Sequence, residues 1–367
     1  MAEVEEIELM LRTIFAGLKD LSILTNHSSK ESLGKMRFIR KFFIAIVLSS
    51  IVYLNSQNSF AGKTENVSFG DFFGSSEPYD GLIAIAQDQN FFAQNGINLT
   101  ITDYPTATYA LNAALNNQVD FAISSEYSFV ATNAINQGNL RIVATIDKAD
   151  AAIIVARTDK GINNITDLNG KKIGLTFQII SQFYLSRFLE LNKINSQNVT
   201  LVNLAPADYV NAIVNGTVDA IITTKSYLAP IEDQLPTDII EGSVQNGQQL
   251  DVVLSCQNNW ITANPELVKR FLKALNQAET YLVNNPSKAE AIVQKQLNVT
   301  GTLGAEIWSD HQFSLSLDQS LIASMQDEAQ WLIQNNLTNS TAIPNFQNYI
   351  YVTGLEAVNP EAVNIAG

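Results

Sequence analysis

The chain has 367 residues, of which 46% are hydrophobic and 16% are charged, and its formal net charge is -14. This composition is that of a globular protein and excludes an intrinsically disordered chain, and the length favours two lobes over one compact core. The acidic balance argues against nucleic acid or an anionic membrane surface as the main partner, because both require a basic patch.

Histidine and cysteine are too scarce for several kinds of site. The sequence contains two histidines, His27 and His311, and one cysteine, Cys256. One thiol and two distant imidazoles do not make a zinc site, and a disulfide within the chain is impossible. We therefore expect no metal and no cofactor. We also expect Cys256 to be a buried, inert thiol and His311 to lie in a surface loop or at a helix start.

Residues 36–61 have the pattern of a secretory signal peptide. A basic segment at 36–41 precedes an apolar run at 42–54, and Ser59 and Ala61 are small residues suited to cleavage after Ala61. The apolar run is shorter than the roughly 20 residues that a membrane span requires. Residues 1–35 are interpreted as a mis-assigned start, and a cytoplasmic extension with an uncleaved anchor is the alternative. We expect a periplasmic protein.

After residue 61 the chain alternates strand-like and helix-like segments, which is the pattern of an α/β fold. The apolar periodicity predicts strands at 67–71, 99–102, 120–123 and 141–145, and helices at 79–95, 106–117 and 127–136. The same alternation is then repeated, with strands at 172–175, 199–202 and 219–222 and helices at 181–191 and 209–215. Three further helices are predicted at 265–283, 289–297 and 320–335.

An internal repeat supports two lobes of like topology. Residues 112–125 read NAALNNQVDFAISS and residues 211–224 read NAIVNGTVDAIITT, with six of fourteen positions identical at an offset of 99. A period of this length is too long for a solenoid. Each copy ends in a pair of hydroxyl residues, and in open α/β sheets ligands bind outside the carboxyl ends of the strands. Capping of the following helix is the alternative role of these hydroxyls.

Five stretches resemble the type 2 periplasmic solute-binding proteins, in the branch with sulfonate, taurine and nitrate receptors and thiamine-pyrimidine-precursor binders. They are residues 82–97, 117–122, 165–174, 215–220 and 264–272. Asn90 and Asn117 stand where glycine is usual in the family. The resemblance implies a type 2 periplasmic-binding-protein fold, in which two α/β lobes are joined by crossing hinge strands and trap a solute when they close.

The resemblance also implies a domain plan and partners. We expect lobe one at 63–148 together with the C-terminal segment 257–367, and lobe two at 149–256. The strands at 152–155 and 252–254 are expected to cross between the lobes. The implied partners are a small-molecule solute, a membrane permease and its cytoplasmic ATPase. We expect a monomer that binds no nucleic acid.

Candidate ligand-binding residues follow the predicted strands. They are Phe72, Phe73, Ser75, Glu77, Tyr79, Ser124, Ser125, Glu126, Asp147, Lys148, Thr176, Phe177, Gln178, Thr224, Lys225 and Tyr227, with Ser181 at the start of the next helix. The acidic candidates beside aromatic rings favour amine, amidine or ring-nitrogen donors. The lysines and the amide groups that begin helix 181–191 favour a carboxylate or sulfonate. The solute is therefore left open among sulfonates, taurine, nitrate, bicarbonate and pyrimidines.

Two other classes of protein remain as alternatives, a thiamine-pyrimidine-forming enzyme of the same fold and a sensor input domain. The enzyme that the chain resembles depends on His and Cys residues, and after residue 61 the sequence has only His311 and Cys256. It has no Gly-x-Ser-x-Gly elbow. A sensor would need a second membrane span and a signalling region, for which the sequence shows no pattern. We therefore expect a binding protein and not an enzyme.

Overall fold

The structure, a computed structural model, describes residues 64–72 and 77–365. The predicted extension at 1–35, the predicted signal peptide at 36–61 and the candidates Phe73 and Ser75 lie outside the described residues. Within the described part of the chain, no helix is both long and apolar enough to cross a lipid bilayer.

The strands of the described chain follow the alternation that the sequence predicts. They are β1 (Glu65–Asp71), β2 (Ile97–Asp103), β3 (Phe121–Ser125), β4 (Leu140–Ala149), β5 (Ala152–Arg157), β6 (Lys172–Leu175), β7 (Thr200–Asn203), β8 (Ala220–Thr224), β9 (Ile239–Ser243), β10 (Leu250–Gln257), β11 (His311–Gln312), β12 (Leu317–Asp318) and β13 (Val363–Asn364). Strand β9 and the short strands β11 to β13 have no counterpart in the sequence prediction, because they are short or partly exposed.

The helices lie between these strands and dominate the C-terminal part. They are α1 (Gly81–Asp88), α2 (Phe91–Gln94), α3 (Ala107–Leu115), α4 (Glu126–Phe129), α5 (Ile180–Leu191), α6 (Tyr209–Val214), α7 (Leu228–Glu232), α8 (Asn258–Ala263), α9 (Pro265–Asn284), α10 (Pro286–Leu297), α11 (Gly301–Ser309), α12 (Gln319–Gln334) and α13 (Val352–Glu356). The predicted helix at 127–136 is α4 followed by a π-helical turn at Val130–Ala134.

Two sheets of like topology confirm the predicted α/β architecture. The first sheet has the order β11-β4-β10-β3-β1-β2, and the second has the order β7-β6-β8-β5-β9. In each sheet three strands are parallel, β2-β1-β3 and β7-β6-β8. An antiparallel strand then pairs with the third of them, β10 in the first sheet and β5 in the second. The repeat of about 100 residues is therefore one structural unit used twice.

The aspartate that is identical in both copies of the repeat has the same role in both sheets. Asp120 Oδ2 accepts a hydrogen bond from the backbone N–H of Ser68 in β1, at 2.8 Å. Asp219 Oδ2 accepts one from the backbone N–H of Lys172 in β6, also at 2.8 Å. Each carboxylate thus ties the strand that follows it to the neighbouring parallel strand.

The two asparagines that replace the family's glycines both adopt the left-handed conformation. The φ angle is 56° at Asn90 and 56° at Asn117. Asparagine tolerates this region better than other residues with a side chain. Asn90 also ends α1, so the single helix predicted at 79–95 is two helices, α1 and α2.

The chain crosses between the sheets at two short segments. Strand β4 ends at Ala149 and β5 begins at Ala152, and the return lies between Ser243 and Leu250. Both crossings are joined by buried Gln245, whose Nε2 donates to Ala149 O at 3.0 Å and whose Oε1 accepts from the backbone N–H of Ala152 at 2.7 Å. The sequence analysis expected the strands at 152–155 and 252–254 to cross between the lobes. In the structure each of them lies within one sheet, and the crossings are the short segments that precede them.

The C-terminal helices cover the first sheet and also reach the second lobe. Phe271 of α9 packs on Phe121 of β3 with ring centroids 4.3 Å apart. Trp331 of α12 lies against Phe183 of α5 at 5.7 Å, and its Nε1 donates to Ser186 Oγ at 3.0 Å. Strand β10, inside the expected second lobe at 149–256, pairs with β3 and β4 of the first sheet.

Candidate functional site

A cavity of about 250 Å³ lies between the two sheets, beside the crossing segments. Its walls come from the loops and helix starts that follow the parallel strands of both sheets, as expected for an open α/β sheet. Ala149, Ala151, Ala152 and Gln245 bring the crossing segments into the lining. The cavity wall therefore combines residues of both lobes and of the crossing segments.

Aromatic side chains form much of the cavity wall. Phe72 and Tyr79 come from the first lobe, and Tyr184, Tyr209 and Tyr227 come from the second. Hydroxyl groups lie between the rings, since Ser125, Ser128, Ser181, Thr176, Thr223 and Thr224 also line the space. This combination is typical of a small-molecule pocket, in which flat apolar walls bury the ligand and a few polar groups orient it.

Part of the predicted set lines this cavity. The members that do so are Phe72, Glu77, Tyr79, Ser125, Thr176, Thr224 and Tyr227, together with Ser181. They come from the ends of β1, β3, β6 and β8 and from the loops after them. Three of the four hydroxyl residues that end the two repeats, Ser125, Thr223 and Thr224, line this one cavity.

The other described candidates do not line the cavity. They are Ser124, Glu126, Asp147, Lys148, Phe177, Gln178 and Lys225. Ser124, Glu126 and Asp147 are fully buried. Both lysines form ion pairs with the C-terminal segment, Lys148 with Asp318 at 2.7 Å and Lys225 with Asp310 at 2.7 Å.

Several lining residues were absent from the predicted set. They are Pro105, Thr106, Ala107, Thr108, Ser128, Ile179, Ile180, Tyr184, Pro206, Tyr209, Ile222, Gln245 and Leu250, with the alanines of the crossing segments. The repeat itself contained a signal for some of them. Pro105 and Pro206 follow the second strand of each lobe at an offset of 101, so extending the repeat upstream would have found both.

The expectation that His311 lies in a surface loop or at a helix start is wrong. Its side chain is fully buried, with Nδ1 2.6 Å from Asp147 Oδ2 and Nε2 3.2 Å from Glu77 Oε2. Strand β11 places it there by pairing with the end of β4, His311 opposite Ala149. The polar sequence around His311 resembles a solvated turn, and only this pairing, formed over a long sequence separation, buries it.

His311 is held as an imidazolium. Burial alone would lower the pKa of His311, but the charges and hydrogen bonds of Asp147 and Glu77 outweigh it and raise the pKa to about 10. Burial raises the pKa of Asp147, while His311 opposes that rise. The ring is also fixed by its neighbours, because it stacks on Phe313 at 5.4 Å and lies 5.5 Å from the ring of Tyr79.

A second group of buried acids lies behind the cavity wall. Burial raises the pKa of Glu126 well above its usual range, and the charge of Asp251 adds to the rise. Burial does the same to Glu328 of α12, with a further contribution from Glu126. Burial therefore favours the neutral, protonated form of both glutamates. Tyr184, which lines the cavity, has a raised pKa because it is buried and lies close to both.

Within residues 64–72 and 77–365, no group of three or more His, Cys, Asp or Glu side chains is arranged to hold a metal ion. The expectation for the thiol is confirmed, because Cys256 is free and buried in β10. Burial also raises its pKa well above the usual range, which keeps the thiol protonated and unreactive.

Comparison with known proteins gives relatives of two kinds. A Brucella abortus (strain 2308) protein named as a binding protein is 23% identical over 243 residues, covering 62% of this chain and 70% of the relative. The Saccharomyces cerevisiae protein named 4-amino-5-hydroxymethyl-2-methylpyrimidine phosphate synthase THI12 is 22% identical over 228 residues, covering 58% of this chain and 66% of its own length.

The fold and the family are both identified. The periplasmic aliphatic sulphonate binding protein SsuA from Escherichia coli superimposes with a TM-score of 0.66 at 16% identity, over 78% of this chain and 97% of that protein. This chain therefore has the periplasmic-binding-protein fold, as the sequence resemblance implied. The family model described as NMT1/THI5 like matches residues 78–289, which is more than half of the chain. The chain belongs to the NMT1/THI5-like family.

Proposed function

We propose that the chain is the extracytoplasmic solute-binding receptor of an ABC importer and captures a small organic solute by hinge closure. One observation carries the proposal, namely that the cavity lies at the hinge and takes its lining from both lobes. Shared fold with a sulphonate-binding protein supports the same class of function. The proposal includes two further steps. The chain is exported by means of residues 36–61, and it hands the solute to a membrane permease and its ATPase.

The division of the wall between the lobes supplies the mechanism of capture. Phe72 and Tyr79 of the first lobe face a space that Tyr184, Tyr209 and Tyr227 of the second lobe also line. A solute between these rings contacts both lobes only when the cleft is closed. Its binding free energy then favours the closed state through those additional contacts.

A thermal-shift screen tests the binding function. The panel contains sulfonates, taurine, nitrate, bicarbonate, pyrimidines and amino acids, and is extended with amines and amidines. A ligand at 100 times its Kd adds about 2.7 kcal/mol to the free energy of unfolding, which moves the Tm by several degrees. We expect at least one chemical class to do so. Absence of any shift, with no small molecule in the native mass spectrum, would contradict the proposal.

A matched pair of variants locates the binding in the cavity. Tyr227→Ala removes an aromatic wall and should weaken solute binding about tenfold or more. Tyr109→Ala is the control, because Tyr109 lies on α3 outside the cavity lining and is 61% exposed. Equal affinities in the two variants would place the solute elsewhere.

An enzyme of the same fold is the second candidate, and the name of the yeast relative favours it. The chemistry of the described residues argues against it. His311 is fully buried, contacts carboxylates at both ring nitrogens and does not line the cavity, so it is unsuited to act as a general base. We expect a bound solute to be recovered chemically unchanged after incubation, as measured by mass spectrometry, whereas a new product would favour the enzyme.

A further inference from the structure

The charge of the cavity wall is one-sided. Among the described residues that line the cavity, Glu77 is the one with a carboxyl group, and none is Lys, Arg or His. The candidate cations nearby are already paired with acids of the C-terminal segment, Lys148 with Asp318 and Lys225 with Asp310. A ligand with a negative charge would therefore meet a carboxyl group in the wall and no basic side chain among these residues.

Glu77 is held by a buried chain of three side chains. Asp147 Oδ2 lies 2.6 Å from His311 Nδ1, and His311 Nε2 lies 3.2 Å from Glu77 Oε2. Asp147 and the His311 side chain are fully buried, and the Glu77 side chain is 2% exposed. The pairing of β11 with β4 and the stacking of His311 on Phe313 fix the ring in this position. Of these three linked side chains, Glu77 is the one that lines the cavity.

We propose that the Asp147–His311–Glu77 chain fixes a carboxylate in the cavity wall, which selects a solute with a positively charged or N–H-donating nitrogen group and rejects anions. This inference rests on the proposed solute-binding function and adds the chemical class of the solute. Glu77 is the group that contacts the solute. His311 is a positioning residue, because it acts through Glu77 and does not line the cavity itself.

The composition of the described lining supports this selection. Glu77 is the member of the three-residue cluster that meets the solute, and the lining contains no basic side chain that would attract an anion. A hydrogen bond from a cationic donor to a carboxylate is roughly twice as strong as one from a neutral donor. The aromatic rings of the wall add a favourable interaction with a cation when they present their faces to it.

The rival site for an anion is the first turn of α5. Ile180 and Ser181 line the cavity there, and the free amide groups of a helix start attract anions. No lysine or arginine of the described lining supports such a site. The Glu77 site predicts a preference for cations, and the start of α5 predicts a preference for anions. Ligands of the same shape and different charge therefore distinguish the two sites.

Benzamidine, benzamide and benzoate are such a set, because they share one ring and carry a positive, a neutral and a negative group. We expect wild-type protein to bind benzamidine about tenfold more tightly than benzamide, and benzoate most weakly, by calorimetry at pH 7.5. Glu77→Gln should reduce the ratio of benzamidine to benzamide affinity to about one. Glu328→Gln is the matched control, because Glu328 is fully buried and does not line the cavity, and it should keep the wild-type ratio.

Variants of His311 test its positioning role through the same ratio, which a loss of stability alone would not change. His311→Gln keeps a donor near the place of Nε2 and should keep part of the preference, whereas His311→Phe keeps the ring shape without donors and should lose most of it. If His311→Phe fails to fold, His311→Asn replaces it, since its shorter amide reaches Asp147 and not Glu77. An unchanged ratio in these variants would remove His311 from the selection.

The outcomes separate this inference from the proposed function. Tighter binding of benzoate or benzamide than of benzamidine, or no binding of any of the three, overturns the selection for a cation. Either result leaves the binding function standing if another solute of the panel shifts the Tm. Failure of the whole panel would contradict the binding function itself.

Discussion

The two ring nitrogens of the buried His311 side chain face carboxyl groups, Nδ1 that of Asp147 and Nε2 that of Glu77. Burial lowers the pKa of His311, but the charges and hydrogen bonds of Asp147 and Glu77 outweigh burial and raise the pKa from 6.5 to about 10. A raised pKa means that the folded state binds the proton more tightly than the unfolded state does. The stabilisation is therefore complete below pH 6.5 and is lost as the pH rises through about 10.

The first prediction concerns the pH dependence of stability. We expect the wild-type free energy of unfolding to fall between pH 6.5 and pH 10, by up to about 1.4 kcal/mol for each pH unit from His311 alone. Urea denaturation at half-unit steps measures the slope. His311→Gln should flatten it. A wild-type stability that rises over this window would show that His311 is neutral in the folded protein.

The second prediction concerns the buried acid Glu328. Its raised pKa contributes stability at pH values below about 4.5, and that contribution is lost as the pH rises toward the folded-state pKa. Glu328→Gln keeps the shape and removes the proton equilibrium, so it should raise stability at pH 8 by about 1–3 kcal/mol and have little effect at pH 4.5. The exposed Glu361→Gln is the control and should be neutral at both pH values. Destabilisation at pH 8 would mean that the Glu328 carboxylate is ionised and paired.

At the scale of elements, the predicted strands and helices agree with the structure wherever the apolar periodicity is strong. The long amphipathic helix α9 and the parallel strands β1, β3, β6 and β8 are confirmed within a few residues. Strand β9 was missed because its residues are partly exposed. Helix α11 was missed as well, and so was β11, whose identity as a strand depends on its partner β4.

The third prediction compares the two aspartates of the repeat. Asp120→Ala and Asp219→Ala each leave a backbone N–H of the neighbouring strand without its acceptor, which should cost about 1–2 kcal/mol. Asp120→Ala should cost more, because Asp120 Oδ2 also accepts from Ser68 Oγ at 2.8 Å. Urea denaturation measures both. A larger loss in Asp219→Ala would contradict the prediction that the additional hydrogen bond from Ser68 Oγ makes Asp120 contribute more to stability.

At the scale of the whole molecule, two copies of one α/β unit face each other across a cavity, and the C-terminal segment holds them in register. Trp331 contacts α5 of the second lobe, and Asp310 pairs with Lys225 beside the hinge. Gln245 ties the two crossing segments together. The C-terminal segment is therefore part of the hinge as well as a cover for the first sheet.

The fourth prediction concerns export, which belongs to the whole chain. If residues 36–61 act as a cleaved signal peptide, protein recovered from the periplasm of a bacterial host should begin at Gly62, as read by N-terminal sequencing. Leu48→Arg interrupts the apolar run at 42–54 and should leave the chain in the cytoplasm. Retention of residues 36–61 on a membrane-bound product would instead indicate an uncleaved anchor.

The amino-acid sequence by itself determined the α/β class, the repeat of about 100 residues, the likeness to the family and the hydroxyl and aromatic residues that follow the parallel strands. These features depend on short-range periodicity and on the order of elements, which a linear pattern records. Tertiary structure alone decided which charges reach the cavity. Lys148 and Lys225 are paired with Asp318 and Asp310, and His311 holds Glu77, because a segment more than 80 residues away in sequence returns to the hinge.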